Sequence, residues 1–180
     1  MFFNAGDRIF VDESKNRKYV VAATFLPPNR VSDTEKTLRG LLLPGQRRLH
    51  FTREGDRRRK NLLAAMRSLT VQVAIWQATG FPEMLARTKC VTPVIQGALK
   101  CDAESLVLER DESIEASDRR LIFEISQSED TSKHLSFRHS VAHHEPLLWV
   151  SDAVAWSYAR GGDWVRRASP LVEDRVVTVP

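Results

Sequence analysis

The chain has 180 residues, 42% hydrophobic and 28% charged, the ordinary range of one globular domain with a real core. It contains no run of 18 apolar residues, and its opening Met-Phe-Phe-Asn-Ala-Gly-Asp lacks the basic and apolar regions of a secretory signal, so no membrane span and a cytoplasmic protein are expected. Net charge is +4, and it is concentrated: residues 47–60 hold seven Lys or Arg against two acids, and Arg160, Arg166 and Arg167 flank Trp164, a distribution that suits a polyanion.

Residues 8–14 and 18–26 are β-rich runs, and the polar Lys15-Asn-Arg17 between them reads as a hairpin turn. Pro27-Pro28 stops the second strand. Ser32, with Glu35 completing a capping box, predicts a helix to about Leu43, ended by Pro44-Gly45. Residues 48–52 read as a short extended segment. A helix follows over residues 56–69, with Leu62, Leu63, Met66 and Leu69 on its apolar face. At 100° per residue, Arg57, Lys60 and Arg67 then face solvent, and Arg58 and Arg59 border the buried edge.

Residues 70–78, rich in Val, Ile and Trp, read as an inner strand. Residues 81–100 read as a helix with a kink or break at Pro93. A strand over 105–110 and a helix over 113–128 come next, then a polar loop over 127–132 and a strand over 134–139. Pro146 suits the first turn of a helix running to about Arg160 and ended by Gly161-Gly162. Residues 163–168 add a turn, and 175–179 form an edge strand. A hairpin followed by alternating helices and strands predicts a mixed sheet covered by helices, the α/β class.

The acids carry the chemistry. Asp12 and Glu13 end one apolar run, Glu109 and Asp111 end another, and Asp152 lies inside a third. Ionised groups beside so much hydrophobic surface need compensation. Asp12 and Glu13 alternate faces on a regular strand, so they cannot both enter one site; the competing reading is a strand-end turn. Glu109 and Asp111 share a face with Val107; their competing readings are a salt bridge and a helix N-terminus. Asp152 shares a helix face with Leu148, Ala155, Trp156 and Ala159, so it must be paired, protonated or metal-bound. Glu145 lies two turns earlier in nearly the same direction. Acids converging from two strand ends and one helix would hold a divalent metal, and a metal beside a basic surface points to phosphodiester chemistry.

Other features exclude more than they suggest. His139 and His143 have the i, i+4 spacing of a zinc pair, but no cysteine joins them. His143 or His144 beside Glu145 could shuttle protons. Cys90 and Cys101, on one helix, would stand about 16 Å apart, too far for a disulfide. Trp149 and Trp156, seven apart on one helix, read as core packing rather than a base-stacking platform. Neither a Gly-rich nucleotide loop nor a nucleophile elbow is present.

Three segments together resemble a known family. Ile-Phe-Val-Asp-Glu-Ser14 before a hairpin strand, Leu49-His-Phe-Thr52 before an Arg-rich helix, and Asp152-Ala-Val-Ala-Trp156 resemble the proteins catalogued as domain of unknown function 3800. The likeness spans residues 8–160. It implies a ribonuclease-H-like fold, with a mixed sheet, an N-terminal antiparallel hairpin and helices on both faces, and divalent-metal nuclease or related phosphotransfer activity. Asp12 would be the first-strand acid, Glu109 the acid of the neighbouring strand, Asp152 the acid of the closing helix, and His50 a site-adjacent polar residue. Asp111 competes with Glu109 for the middle position. The chain departs from the family in carrying Lys15 where Gly often follows Asp-Glu-Ser.

The combined expectation is a nuclease in which Asp12, Glu109 and Asp152 hold Mg²⁺ or Mn²⁺. Glu13, Asp111 and Glu145 are further candidate acids. Arg53, Arg57, Arg58, Lys60 and His50 would steer the nucleic acid, RNA ranked ahead of DNA. The alternative is a non-catalytic module of the same fold that binds RNA, a ribosome or a protein.

Overall fold

The hairpin sets the frame. β1 (Arg8–Lys15) and β2 (Tyr19–Leu26) pair antiparallel from Arg8↔Leu26 to Lys15↔Tyr19. Every residue of β2 is buried, as expected of an unbroken apolar run covered on both faces. A computed structural model describes residues 2–128 and 135–180 of the chain. Among these, β3 (Gln72–Ala78) pairs antiparallel with β2, and β4 (Ser105–Glu109) lies parallel to β1. β5 (Ser136–Ser140) and β6 (Val176–Thr178) add parallel edge strands, giving the order β5-β4-β1-β2-β3-β6.

Alternation along the strands divides the core in two. Phe10, Ala22, Ile75 and Val107 point toward α5 (Pro146–Arg160), which is flanked by α1 (Pro28–Arg39), α2 (Asp56–Met66) and α6 (Asp163–Val172). Ile9, Val11, Val21 and Leu108 point the other way, toward α3 (Glu83–Cys101) and α4 (Glu115–Ser128). α5 is apolar nearly all round, and it is buried against β1 and β2. Its Ser151 Oγ donates to the Phe10 carbonyl at 2.8 Å and stands 2.7 Å from Thr24 Oγ1. Those bonds satisfy buried polar groups and fix the height of α5 on the sheet beside Asp152.

Several boundaries differ from the sequence reading. α1 begins at Pro28, not Ser32. Proline at the first helical position loses no hydrogen bond there, so Pro27-Pro28 ends the strand and starts the helix together. Ser32 and Glu35 are therefore interior, and no capping box forms. α3 runs through Pro93 without interruption. Phe51 and Thr52, the end of the segment expected to be extended, instead open a 3-10 turn over Phe51–Arg53. α6 extends to Val172, well past the expected turn. Gln127 and Ser128 end α4 rather than opening a loop; the rest of that expected loop, with His134, lies outside the described residues. Cys90 and Cys101 both lie on α3 as buried free thiols. Among the described residues no helix is long and apolar enough to cross a membrane.

Candidate active site

Three of the predicted acids line one cleft. Asp12 lies on the Phe10 side of β1, near its end, and is 7% exposed. Glu109 closes β4 on the Val107 side. Val11 is level with Leu108, so Asp12 and Glu109 are the next positions along adjacent parallel strands. Asp152 comes down from α5, one residue after the serine bonded to Phe10. All three line a cleft of about 640 Å³ at the ends of β1 and β4, together with Arg48, His50 and Thr52.

The electrostatics follow from that convergence. The Asp12 carboxyl is held well above the usual carboxylate range. Burial is the main cause, followed by the charges of Glu109 and Asp152 and a side-chain hydrogen bond to Glu109; the Glu13 peptide opposes them. That peptide N–H, 2.7 Å from Asp12 Oδ1, is its donor. Among the described residues Asp12 forms no ion pair. Like charges gathered without a counter-charge are costly unless a cation or a proton joins them.

The other two acids have partial partners. The Phe51 N–H donates to Asp152 Oδ2 at 2.9 Å, and His50 Nδ1 lies 3.6 Å from the same oxygen. Arg48 Nη1 donates to Glu109 Oε1 at 3.0 Å. These contacts engage one oxygen of each acid, and among the described residues no three His, Cys, Asp or Glu side chains are grouped to hold an ion. The donor set still has the right chemistry: hard carboxylate oxygens, with Asp12 lacking a counter-charge, suit Mg²⁺ or Mn²⁺ better than a soft metal.

The remaining candidates sit elsewhere or face other partners. Glu13 turns to the opposite face of the sheet, where Arg87 Nε donates to its Oε2 at 2.9 Å. The strand is regular and the two side chains take opposite faces of the sheet, yet both border the same cleft at the strand ends. Asp111 stands at the cleft mouth but accepts from Ser113 N (3.0 Å) and Ser113 Oγ (2.6 Å). Those bonds lower its pKa. Glu145 pairs with Arg138 at the start of α5 instead of joining Asp152. His139 is bonded to Asp118, and His143 stacks edge-on against His144, so the i, i+4 spacing assembles no zinc pair.

The start of the basic segment borders the cleft, through Arg48, His50 and Thr52. Arg53, Arg57 and Lys60 are exposed. Arg58 is bound inward by Glu54 Oε2 (3.1 Å) and the Leu41 carbonyl (2.6 Å), which fixes the loop rather than leaving a free charge. Arg59 does similar work at the cleft edge. It donates to the Phe51 and Thr52 carbonyls at 2.8 and 2.7 Å and covers the Trp156 ring at 4.5 Å. The turn that offers Phe51 N–H to Asp152 is thereby tied to both α2 and α5. Trp149 is core, as expected, its indole donating to the Ala142 carbonyl at 2.7 Å.

Two features escaped the sequence reading. Arg48 reaches Glu109, and strand-like alternation carried the signal: Leu49 and Phe51 are buried while Arg48 and His50 look into the cleft. The second is a buried network behind the site. Arg87 grips Asp118 with Nη1 and with Nη2 (3.1 Å), and His139 Nε2 is 2.8 Å from the same carboxylate.

No family model matches the chain, and no curated protein does. Solved structures do. Ribonuclease HII of Archaeoglobus fulgidus, determined in complex with PCNA, aligns with a TM-score of 0.55 at 17% identity, over 90% of this chain and 75% of its own. Bst ribonuclease HIII in complex with Mn²⁺ aligns with a TM-score of 0.49 at 13% identity, over 94% of this chain and 57% of that one. The likeness to ribonuclease HII establishes the fold: the six-stranded mixed sheet with its antiparallel hairpin is ribonuclease-H-like.

Proposed function

We propose that the protein is a divalent-metal-dependent nuclease that hydrolyses phosphodiester bonds of nucleic acid in the cytoplasm. The observation that carries this reading is that Asp12, Glu109 and Asp152 line one cleft on one face of the sheet, with Asp12 buried and, among the described residues, without an ion pair. The fold it shares with ribonuclease HII supports it, as does the resemblance of its motifs to domain of unknown function 3800.

Asp12, Glu109 and Asp152 would hold Mg²⁺ or Mn²⁺. The chemistry such an ion supplies is Lewis-acid activation of water and charge neutralisation at the phosphate. The chain's own groups do the rest. Glu109 is the middle acid rather than Asp111, because its carboxylate acts directly on Asp12 while Asp111 is occupied by Ser113. Phe51 N–H orients Asp152. The exposed Arg53, Arg57 and Lys60 would meet backbone phosphates, which gives affinity without sequence readout.

Cleavage of RNA, DNA and hybrid oligonucleotides with and without Mn²⁺ tests this. Activity is expected only with metal, and Asp12→Asn combined with Asp152→Asn is expected to abolish it. Undiminished cleavage by that double variant rejects the mechanism. One observation favours a second reading, a non-catalytic RNA-, ribosome- or protein-binding module: Glu109 and Asp152 already have donors. A protein that retains nucleic-acid binding but shows no thermal shift with millimolar Mg²⁺ or Mn²⁺ is that module.

A further inference from the structure

The cleft already contains a cation. Arg48 Nη1 sits 3.0 Å from Glu109 Oε1, in the cleft that Asp12 and Asp152 also line, and among the described residues neither aspartate pairs with an arginine or lysine. The contact has the features of a temporary partner. It is a single hydrogen bond, not the two-pronged fork that makes arginine–carboxylate pairs strong. Both side chains are partly open to water, 38% exposed for Arg48 and 32% for Glu109, so separating them uncovers no buried charge. Arg87 differs on each count: it is 7% exposed and bonds two acids.

The backbone beneath Arg48 is anchored while its side chain is not. Leu49 and Phe51 are buried on the core side, and Arg59 clasps the Phe51 and Thr52 carbonyls. Once released from Glu109, Arg48 swings about a fixed pivot at the cleft wall. Apart from the acids that line the cleft, its neighbours are positive or neutral. Arg47 is adjacent, and the His143 imidazole is held below its usual range by burial, by His144 and by both arginines. An anion entering the cleft is then the natural partner for the freed guanidinium.

We infer that Arg48 holds the metal's place on Glu109 in the resting protein, yields that carboxylate to the incoming divalent ion, and then binds a phosphate of the substrate strand. The inference rests on the proposed metal site and deepens it: one arginine makes metal uptake and substrate binding mutually supporting. Metal frees Arg48 for the phosphate, and the phosphate keeps Arg48 from returning to Glu109.

Calorimetric Mn²⁺ titration of wild type, Arg48→Ala and Arg47→Ala tests it, with fluorescence anisotropy of a labelled single-stranded oligonucleotide as the second readout. Arg48→Ala is expected to bind Mn²⁺ about two- to fivefold more tightly, the scale of one surface ion pair. It is also expected to bind the oligonucleotide more weakly in Mn²⁺, and to lose the gain in affinity that Mn²⁺ gives the wild type. Arg47→Ala removes the same charge one residue away and should leave Mn²⁺ affinity unchanged. Equal or weaker Mn²⁺ binding by Arg48→Ala, or equal tightening by Arg47→Ala, overturns the exchange while leaving the metal site standing. Wild-type protein that takes up no Mn²⁺ overturns the proposed function itself.

Discussion

The end of β1 presents an acid to each face of the sheet, and the two faces treat it oppositely. On the α3 and α4 side, Glu13 and Asp118 are neutralised by Arg87, with His139 completing the network. On the α5 side, Asp12 faces the charges of two more carboxylates and, among the described residues, has no ion pair of its own. Neighbouring residues on one strand thus have opposite electrostatic fates. Buried charge with matched partners serves the fold; buried charge without them is kept for something that arrives.

The largest test attacks the matched side. Arg87→Ala leaves Glu13 with Lys15 at 3.5 Å and leaves Asp118, which is 1% exposed, with His139 at 2.8 Å as its remaining partner. It should cost about 3–5 kcal/mol in urea unfolding, and a loss under about 1 kcal/mol would erase the contrast between the faces.

Asp12→Asn attacks the unmatched side and should act in reverse. The folded pKa of Asp12 is raised. Between the ordinary carboxylate range and that raised value the folded state binds more protons than the unfolded one, so stability falls as pH rises through this window. The penalty is absent in acid and complete above the raised pKa. Metal-free Asp12→Asn should therefore melt roughly 2–5 °C above wild type at pH 8, with the gain fading toward pH 4. A variant less stable than wild type at pH 8 contradicts the unmatched charge.

The smallest stability effect belongs to the exposed basic rim. Arg57→Ala should leave the melting temperature unchanged and lower the slope of log binding against log salt by about one. An unchanged salt slope would place the nucleic acid away from α2.

What the sequence disclosed follows the same division. Alternation along residues 8–14 separated Asp12 from Glu13, and the apolar stripe of residues 146–160 marked Asp152; both are local periodicities. Arg87 was open to the same reasoning, since it shares a buried helical face with Cys90, Val91 and Val94, as Asp152 does with its neighbours. Its partners, however, come from β1 and α4, and only the folded chain brings them together. Glu145 shows the converse. Helical spacing aligned it with Asp152, but it precedes the helix and is claimed by Arg138 from β5. Glu109 and Asp111 share a strand face, so their spacing left the choice between them open; a local turn closed by Ser113 separates them in the fold.

The most direct test of the central claim is an anomalous difference map from crystals soaked in Mn²⁺. A peak among the Asp12, Glu109 and Asp152 carboxylates, with Arg48 drawn off Glu109, is the predicted result. A cleft without a peak at saturating Mn²⁺, or a peak held by other residues, would contradict the account.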